Sequence, residues 1–322
     1  AWFLCAIVTD WIPIARDRGD LDRVRRWDAA LTGWRAALEN QAWDGDWYQR
    51  AFFDDGTALG SHTRDEGRID LIAQAWAVLS GAAAPERQRQ AMDAVEAHLV
   101  NPAAGLIQLL APPLRHAEPS AGYIQAYPPG VRENGGQYAH GGVWALMAAA
   151  ELALQEPEHP GAFDTPYRYF TYLSPAHRAK HPVWGPVYAV EPYVMAADIY
   201  SQPPYVGRGG WSWYTGAAGW LHRAAVESIV GLQMGAKELF FTPCLPSHWP
   251  GAELTLVRGG RTLRFLLVRM APGAEPAALP DSAPSGARWL QVGERLRWVD
   301  LPSDLCCVIP VRGQPDTVAG AV

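Results

Sequence analysis

Hydrophobic residues recur at helical spacing through most of the chain. In residues 20–40, six apolar residues fall three or four apart and so share one face of a helix: Leu21, Val24, Trp27, Leu31, Trp34 and Leu38. Residues 1–12 have the same apolar character and are interpreted as another helix. Similar runs predict helices at residues 66–80, 86–100, 136–154, 162–173, 191–200 and 215–232. The pattern therefore predicts a mainly helical region that extends to about residue 233.

The pattern changes near residue 233. Short apolar runs between Gly, Pro and Asp predict β-strands at residues 254–257, 261–268, 289–292, 296–299 and 305–311. Arg258-Gly259-Gly260 separates the first two runs and predicts a hairpin turn. Residues 271–287 are rich in Ala, Pro, Ser and Gly, which is typical of an exposed loop. We therefore expect two domains, a helical one at residues 1–233 and a small antiparallel β domain at residues 234–322.

Composition narrows the classes of protein that the chain fits. Of its 322 residues 49% are hydrophobic, and the net charge is -6, which is typical of a protein with a large core and argues against a nucleic-acid surface. The apolar start of the chain is too short to span a bilayer. The four cysteines form no C-x-x-C pair and show no metal-ligand spacing. We therefore expect reduced thiols in a cytoplasmic protein, and no metal site.

Two polar loops each lead into a predicted helix. The first, residues 132–140, reads R-E-N-G-G-Q-Y-A-H, with Glu133 and Asn134 where a helix cap is expected and His140 in the following apolar run. The second, residues 209–216, ends in Thr215 and Gly216 at the start of another helix. A helix start offers free main-chain N–H groups to an oxyanion such as phosphate. If the two loops face each other, they surround one anion with an imidazole, a hydroxyl and main-chain donors.

These loops belong to a longer series of motifs. In chain order the series is A-W-D-G-D-W-Y-Q-R-A-F-F-D-D-G at residues 42–56, E-G-R-I-D-L-I-A-Q-A-W-A-V-L-S-G at residues 66–81, Y-P-P-G-V at residues 127–131, R-E-N-G-G-Q-Y-A-H, E-P-Y-V at residues 191–194 and G-R-G-G-W-S-W-Y-T-G at residues 207–216. Together they resemble the phosphorylases of glycoside hydrolase family 94, which include cellobiose and chitobiose phosphorylases, and in particular the carboxy-terminal module of cyclic β-1,2-glucan synthases. The resemblance extends from residue 1 to about residue 250. It implies the later part of an (α/α)6 barrel, without the upstream helices, followed by a small antiparallel β-sandwich.

The resemblance also implies an activity. Enzymes of this family are inverting phosphorylases, in which a carboxylic acid protonates the glycosidic oxygen while phosphate attacks the anomeric carbon. A β-glucan would give α-glucose 1-phosphate, with inorganic phosphate as co-substrate and no cofactor. The family's phosphate ligands correspond here to His140, Thr215 and Gly216. A core histidine at the start of a helix is the alternative interpretation of His140.

The sugar-binding residues that the resemblance implies lie in two segments. Arg132 and Glu133 match positions that contact the sugar near the bond that is cleaved. In residues 42–56 the candidates are polar or aromatic, with the tryptophan as a stacking platform for a sugar ring: Asp44, Asp46, Trp47 and Arg50. Asp-Gly-Asp is also ordinary turn chemistry, so a structural role for Asp44 and Asp46 stays open.

The chain departs from the family pattern at its start. The general acid of the family is an aspartate that normally precedes the segment corresponding to Trp2-Phe3-Leu4, so no catalytic residue is assigned within this chain and we expect the chain alone to be inactive. Helices that are missing upstream would leave an apolar surface formed by Trp2, Phe3, Ile7 and Trp11. The resemblance implies that the chain is the trimming module of a cyclic β-1,2-glucan synthase, located in the cytoplasm or, through the parent protein, at the cytoplasmic face of the inner membrane. The alternatives are a free-standing cellobiose-type phosphorylase and a non-catalytic glucan-binding module, and a homodimer stays open.

Overall fold

The computed structural model of the chain describes residues 1–271, 274, 276 and 278–312. It is rich in α-helices, which in chain order are α1 (Trp2–Asp17), α2 (Leu21–Ala37), α3 (Leu71–Leu79), α4 (Pro85–His98), α5 (Tyr123–Ala126), α6 (Ala139–Gln155), α7 (Asp164–Leu173), α8 (Pro175–Lys180), α9 (Gly185–Tyr188) and α10 (Thr215–Arg223). Two of them continue into π-helical turns: α2 at Leu38–Ala42 and α10 at Ala224–Ile229. The helix-rich character predicted for the first part of the chain is confirmed.

Two of the sequence predictions for helices are corrected. The helix predicted at residues 66–80 begins only at Leu71, because the Asp70 carboxylate accepts the N–H groups of Ile72 and Ala73 and so caps α3 there. The helix predicted at residues 191–200 does not form. The N–H groups of Ala197 and Tyr200 donate to main-chain oxygens of the 208–211 segment rather than to carbonyls one turn earlier.

Short strands join the loops between the helices. They are β1 (Ala51–Phe52), β2 (Ala58–Leu59), β3 (Ile69–Asp70), β4 (Val100–Asn101), β5 (Leu106–Ile107), β6 (Leu110–Ala111), β7 (Gln137–Tyr138) and β8 (Asp198–Ile199). They form antiparallel pairs, and the pair that matters for the candidate site is β7 with β8, in which Tyr138 lies opposite Asp198. This pairing connects two of the motifs singled out in the sequence.

Further strands, several of them longer, follow residue 231, as the change of pattern predicts. They are β9 (Leu232–Met234), β10 (Glu238–Phe241), β11 (Gly251–Arg258), β12 (Arg261–Arg269), β13 (Arg288–Trp289), β14 (Leu296–Arg297) and β15 (Asp304–Val311). The predicted hairpin is confirmed: β11 and β12 pair throughout, and Gly259 and Gly260 both adopt positive φ in the turn. One sheet is antiparallel in the order β14-β10-β9, and the other runs β11-β12-β15-β13.

The prediction that all these strands are antiparallel is wrong for the second sheet. There β15 runs parallel to both β12 and β13. The physical reason is the connection between β12 and β15, which spans residues 270–303 and is long enough to return the chain to the same end of the sheet. Of the loop predicted at residues 271–287, positions 272, 273, 275 and 277 lie outside the described residues.

The chain divides into two compact units, Ala1–Leu152 with Arg168–His222, and Ala153–Tyr167 with Arg223–Val322. In the first unit a core of small and aromatic side chains lies among α1 to α4, with Trp27, Trp34, Trp43 and Trp76 packed at its edge. In the second unit Phe241 of β10 contacts Phe265 of β12, with ring centroids 4.7 Å apart. The barrel, the sandwich and the domain boundary at residue 233 stay predictions.

Helix α1 is apolar on more than one face. Trp2, Cys5 and Val8 are buried, whereas Phe3 and Trp11 are 55% and 53% exposed. Trp2 packs edge-on against Tyr48, with centroids 4.8 Å apart, so it belongs to the core and not to the predicted open surface. Within the described part of the chain, no helix is long and apolar enough to cross a membrane.

Candidate functional site

The R-E-N-G-G loop is fixed by hydrogen bonds rather than by a helix cap. Helix α6 begins only at Ala139, after β7, so the cap predicted at Glu133 and Asn134 is wrong. Instead the fully buried Asn134 side chain accepts the N–H of Leu114 at 2.7 Å and donates to the carbonyls of Leu114 and Tyr127 at 2.9 and 2.8 Å. The Asn134 amide therefore satisfies main-chain hydrogen-bonding groups that would otherwise be buried without partners, and it links three loop segments.

Arg132 is held in an unusual backbone conformation by a buried carboxylate. Its φ is +50°, a region that non-glycine residues seldom adopt, and its N–H donates to Asp198 Oδ2 at 2.6 Å. Asp198 is 1% exposed, and this burial raises its pKa. The Arg132 guanidinium lies over the rings of Tyr127 and Trp211, at 5.9 and 5.6 Å from their centroids. The Arg132 main chain is therefore fixed by Asp198, and its side chain is positioned by two aromatic rings.

His140 meets the start of α10. The residue occupies the first turn of α6, and a Cβ atom placed on Gly216 would lie 3.2 Å from its Nε2 atom. The imidazole thus packs against the main chain of the second residue of α10, beside Thr215. The first N–H groups of a helix have no acceptor within the helix, so they are free to bind an anion at this point. The structure brings these three predicted residues into one place, while their binding of phosphate stays a prediction.

Aromatic rings surround His140. The Tyr214 ring lies edge-on at 5.4 Å, Tyr138 at 5.8 Å and Trp144 at 6.0 Å. The hydroxyls of Tyr138 and Tyr214 form a 2.7 Å hydrogen bond to each other. Burial lowers the pKa of His140, so the ring is neutral at pH 7. No described group forms a hydrogen bond with the imidazole, which leaves its nitrogens available to a ligand.

Glu133 has an unpaired carboxylate oxygen. Its Oε2 atom is buried and has no hydrogen-bond partner among the described residues. Burial raises the pKa of both Tyr138 and Asp198, and the charge of Glu133 adds to the effect. A buried carboxylate oxygen without a donor is costly in free energy unless a ligand supplies one. A sugar hydroxyl is a donor of the required kind.

The candidates in residues 42–56 have mixed positions. Asp44 holds a turn, because its carboxylate accepts from Ser61 and from the His62 main chain at 3.2 and 2.6 Å. Trp47 is only 4% exposed, and its indole N–H donates to the carbonyls of Gly60 and Arg68 at 2.9 and 3.0 Å. A ring this deeply buried has no free face for a sugar, so the stacking role predicted for Trp47 does not fit its position.

The other two candidates of this segment are more open. Asp46 is exposed and accepts a 3.3 Å hydrogen bond from Gln90. Arg50 forms a 3.4 Å ion pair with the buried Asp70 and lines a cavity of about 290 Å³ together with Phe3, Phe52 and Trp76.

Aromatic contacts join this cavity to the surroundings of His140. Trp76 lies 5.6 Å from Trp144, which in turn contacts both His140 and Trp220. Arg50 is therefore linked to His140 only indirectly, through the cavity that it shares with Trp76 and the ring contacts of Trp76 with Trp144 and of Trp144 with His140. The Asp44 carboxylate accepts a 2.8 Å hydrogen bond from Gln49, which also lines the cavity, besides those from Ser61 and His62.

Sequence reasoning missed four residues that shape the site: Tyr138, Trp144, Asp198 and Tyr214. Tyr138 and Tyr214 stand two residues before His140 and one before Thr215, so the quoted motifs contain them. Asp198 follows the E-P-Y-V motif inside a segment that was predicted to be helical. No signal in a single sequence marks it as the partner of Arg132. The described residues contain no cluster of three or more His, Cys, Asp or Glu side chains that could hold a metal ion.

Comparison with known protein families identifies the class. Residues 1–231 match the family described as "Glycosyl hydrolase 94 superfamily, catalytic domain", and the chain belongs to this family. The matched region contains both loops of the candidate site.

Several characterised proteins are similar to the chain. The cyclic beta-(1,2)-glucan synthase NdvB of Rhizobium meliloti is 46% identical over 275 residues, which is 85% of this chain and 9% of that protein. Solabiose phosphorylase of Paenibacillus borealis is 36% identical over 71% of this chain and 28% of its own length. N,N'-diacetylchitobiose phosphorylase of Vibrio proteolyticus is 32% identical over 79% of this chain and 30% of its own length. The chain therefore spans less than a third of each of these relatives.

Proposed function

We propose that the chain is the phosphate- and sugar-binding part of an inverting β-glucan phosphorylase, which trims glucan chains as a module of a cyclic β-1,2-glucan synthase. The observation that carries the proposal is the His140 imidazole packed against the main chain of Gly216 at the start of α10. The names of the similar proteins support it, because they include a β-1,2-glucan synthase and two disaccharide phosphorylases. The partners are then a β-linked glucan and inorganic phosphate.

The chemistry needs a phosphate that is held in line with the bond it attacks. A phosphate oxygen forms a bond to the anomeric carbon as the glycosidic C–O bond breaks, and the departing oxygen takes a proton from a carboxylic acid. The products are α-glucose 1-phosphate and a glucan shorter by one unit. Because phosphate is already a nucleophile, the protein has mainly to orient it and offset its charge. A neutral His140, the Thr215 hydroxyl and the helix start can do this together.

We assign the general acid to no described residue. Within the proposal it is an aspartate outside these 322 residues, as the family resemblance implies. Glu133 and Arg132 contact the sugar beside the phosphate, and Glu133 fits this role because its buried Oε2 atom needs a donor. Arg50 contributes from the wall of its cavity. A homodimer and an inner-membrane location stay predictions.

Phosphate binding tests the core of the proposal. Titration calorimetry of the 322-residue chain with inorganic phosphate should detect a site that His140→Ala weakens by about 10-fold or more, since a hydrogen bond to a charged group contributes about 1.5–3 kcal/mol. His222→Ala is the matched control, because His222 is an exposed histidine of the same helix as Gly216. Equal effects of the two substitutions would mean that His140 is structural.

Product analysis tests the substrate. The complete parent polypeptide, incubated with phosphate and a panel of β-linked glucans, should release glucose 1-phosphate fastest from β-1,2-glucan. Preference for cellobiose would favour the free-standing oligosaccharide phosphorylase and leave the phosphate site intact. Release from no glucan, with the acid present, would favour the non-catalytic binding module.

A further inference from the structure

Three large aromatic side chains beside the candidate site are exposed. Trp211, Trp213 and Tyr193 are 72%, 64% and 75% exposed, although large apolar side chains are usually buried. They come from two motifs, E-P-Y-V and G-G-W-S-W, to which the phosphate site gives no role. The rings of Tyr193 and Trp213 contact each other edge-on at 6.4 Å. We call these three residues the aromatic shelf.

The main chain beneath the shelf is fixed. The Ala197 N–H donates to the Trp211 carbonyl at 2.6 Å, and the Tyr214 N–H donates to the Met195 carbonyl at 3.0 Å. These bonds tie the segment on both sides of Trp213 to the 195–197 segment. The exposed rings therefore project from an ordered backbone, so a ligand would bind them without having to order the loop first.

Backbone strain at Trp213 supports a role in binding. Its φ is +62°, which for a bulky side chain is a marked outlier. Strained residues of this kind persist where the surrounding structure holds them, and they cluster at ligand-binding sites. Burial does not explain the strain, because the Trp213 ring remains mostly exposed. An exposed ring held at a cost in free energy indicates a surface that is completed by a ligand.

The residues next to the aromatic shelf indicate the chemical class of its ligand. Trp213 is two residues from Thr215, so their Cα atoms are at most about 7 Å apart. Trp211 is partly covered by the Arg132 guanidinium, and Arg132 adjoins Glu133 with its unpaired oxygen. A polymer that places one sugar unit at Glu133 and the phosphate would extend past these rings. The apolar C–H faces of glucopyranose units pack against the flat faces of aromatic rings.

We propose that the aromatic shelf of Trp211, Trp213 and Tyr193 binds glucosyl units of a β-linked glucan chain outside the unit that reacts with phosphate. The shelf selects for chain length, because a longer chain covers more of its three rings than a disaccharide does. The identity of the polymer, a β-linked glucan, rests on the proposed function. Binding of glucan by the three rings does not rest on it, because that binding needs no phosphate.

The test measures affinity against chain length. The 322-residue chain is titrated by calorimetry with linear β-1,2-gluco-oligosaccharides that range from the disaccharide to a polymer of about 20 units, with phosphate titrated in parallel. Trp211→Ala and Trp213→Ala should each weaken binding of the polymer by about 3- to 10-fold, which corresponds to loss of one aromatic contact. Binding of the disaccharide should weaken less than binding of the polymer, and binding of phosphate should not change. Trp211→Phe, which keeps a ring, should recover part of the loss.

The control separates stacking from damage to the fold. Trp11→Ala removes another exposed indole, 53% exposed on α1, and should leave binding of the polymer unchanged. Melting curves of all variants should coincide to within a few degrees. If Trp213→Ala does not fold, Tyr193→Ala and Trp211→Ala still test the shelf.

The possible results distinguish failure of the aromatic shelf from failure of the proposed phosphorylase function. Polymer affinity that is unaffected by Trp211→Ala and Trp213→Ala, or an absence of polymer binding, would overturn the shelf and leave the phosphate result standing. Loss of polymer affinity in a chain that binds no phosphate would support the shelf and contradict the phosphorylase. A change of sedimentation in these variants without a change in glucan affinity would assign the rings to a protein contact instead.

Discussion

The Asp198 carboxylate accepts the main-chain N–H of Arg132 at 2.6 Å, across the pairing of β7 with β8. The Asp198 main-chain oxygen also accepts the Gly210 N–H at 2.9 Å. One buried residue therefore joins the loop of Arg132 and Glu133 to the loop of Trp211 and the α10 start. Two motifs that lie far apart in the sequence take their relative position from it.

Replacement of Asp198 should damage both loops. Asp198→Ala leaves the Arg132 N–H without its acceptor, and we expect the free energy of unfolding to fall by about 1–3 kcal/mol. Asp198→Asn keeps an acceptor oxygen and should lose less. Urea unfolding at pH 7 measures both variants, and equal losses would mean that the Arg132 N–H bond is unimportant.

The same pair has a predicted pH dependence. Burial raises the pKa of Asp198 in the folded chain above its unfolded value, so the part of the stability that depends on its protonation is fully present below the unfolded pKa of about 3.9 and is lost as the pH rises through the folded pKa. The hydrogen bond from the Arg132 N–H is a separate contribution. The stability of Asp198→Asn relative to the wild type should therefore improve as the pH rises from 4 toward neutral. A constant difference across this range would contradict the raised pKa.

Gly216→Ala should weaken phosphate binding without lowering the stability of the chain. Alanine is favoured over glycine in a helix by up to about 1 kcal/mol, so Gly216→Ala should not destabilise α10. The new methyl group would lie 3.2 Å from His140 Nε2 and crowd the ring that we propose as a phosphate ligand. Phosphate affinity should therefore fall by about 10-fold while the melting temperature holds or rises.

The control for Gly216 lies on the same helix. A Cβ atom at Gly219 meets no atom within 4 Å, so Gly219→Ala should stabilise the helix and leave phosphate affinity unchanged. Calorimetric titration and thermal melting of the two variants provide the comparison. Unchanged phosphate binding in Gly216→Ala would show that the anion does not bind between His140 and α10.

The sequence predicted the local parts of this site better than their arrangement. The helical periodicity predicted most helices to within a few residues, and the two glycines between β11 and β12 predicted their hairpin, because these signals are encoded by neighbouring residues. The prediction of a helix at residues 191–200 is wrong because the apolar residues there belong to a buried extended segment. Periodicity alone does not separate a buried strand from a buried helix when the run is short.

Burial was the other property that the sequence concealed. Trp47 and Trp211 both lie in polar, glycine-containing motifs, yet Trp47 is 4% exposed and Trp211 is 72% exposed. The difference arises from the partners that each meets in the fold. The Trp47 N–H reaches two carbonyls in the interior, whereas Trp211 has the Arg132 side chain beside it at the surface. Such long-range partners cannot be derived from one sequence.

His140 should make the folded chain sensitive to acid. Burial lowers its pKa, so its contribution to stability is present above the unfolded pKa of about 6.5 and is lost as the pH falls through the folded pKa. The free energy of unfolding of the wild type should decline below pH 6.5 more steeply than that of His140→Asn. Parallel curves, measured by urea unfolding from pH 8 to pH 5, would show that the imidazole is not shielded from water.

The exposed face of α1 should cause self-association. Phe3, Ile7 and Trp11 are 55%, 38% and 53% exposed and lie on one side of a helix whose other side is already packed in the core. A helix that is apolar on both sides is usually covered on both, so two copies of the chain should associate through this face in water. Sedimentation should show dimers or larger species at micromolar concentration, and Phe3→Ser with Ile7→Ser should shift them toward monomer.

Val299→Ser, which removes an exposed apolar side chain from another part of the chain, should have no such effect. A wild-type chain that sediments as a monomer and melts cooperatively would contradict the prediction, because its α1 surface would then be tolerated in water without a partner.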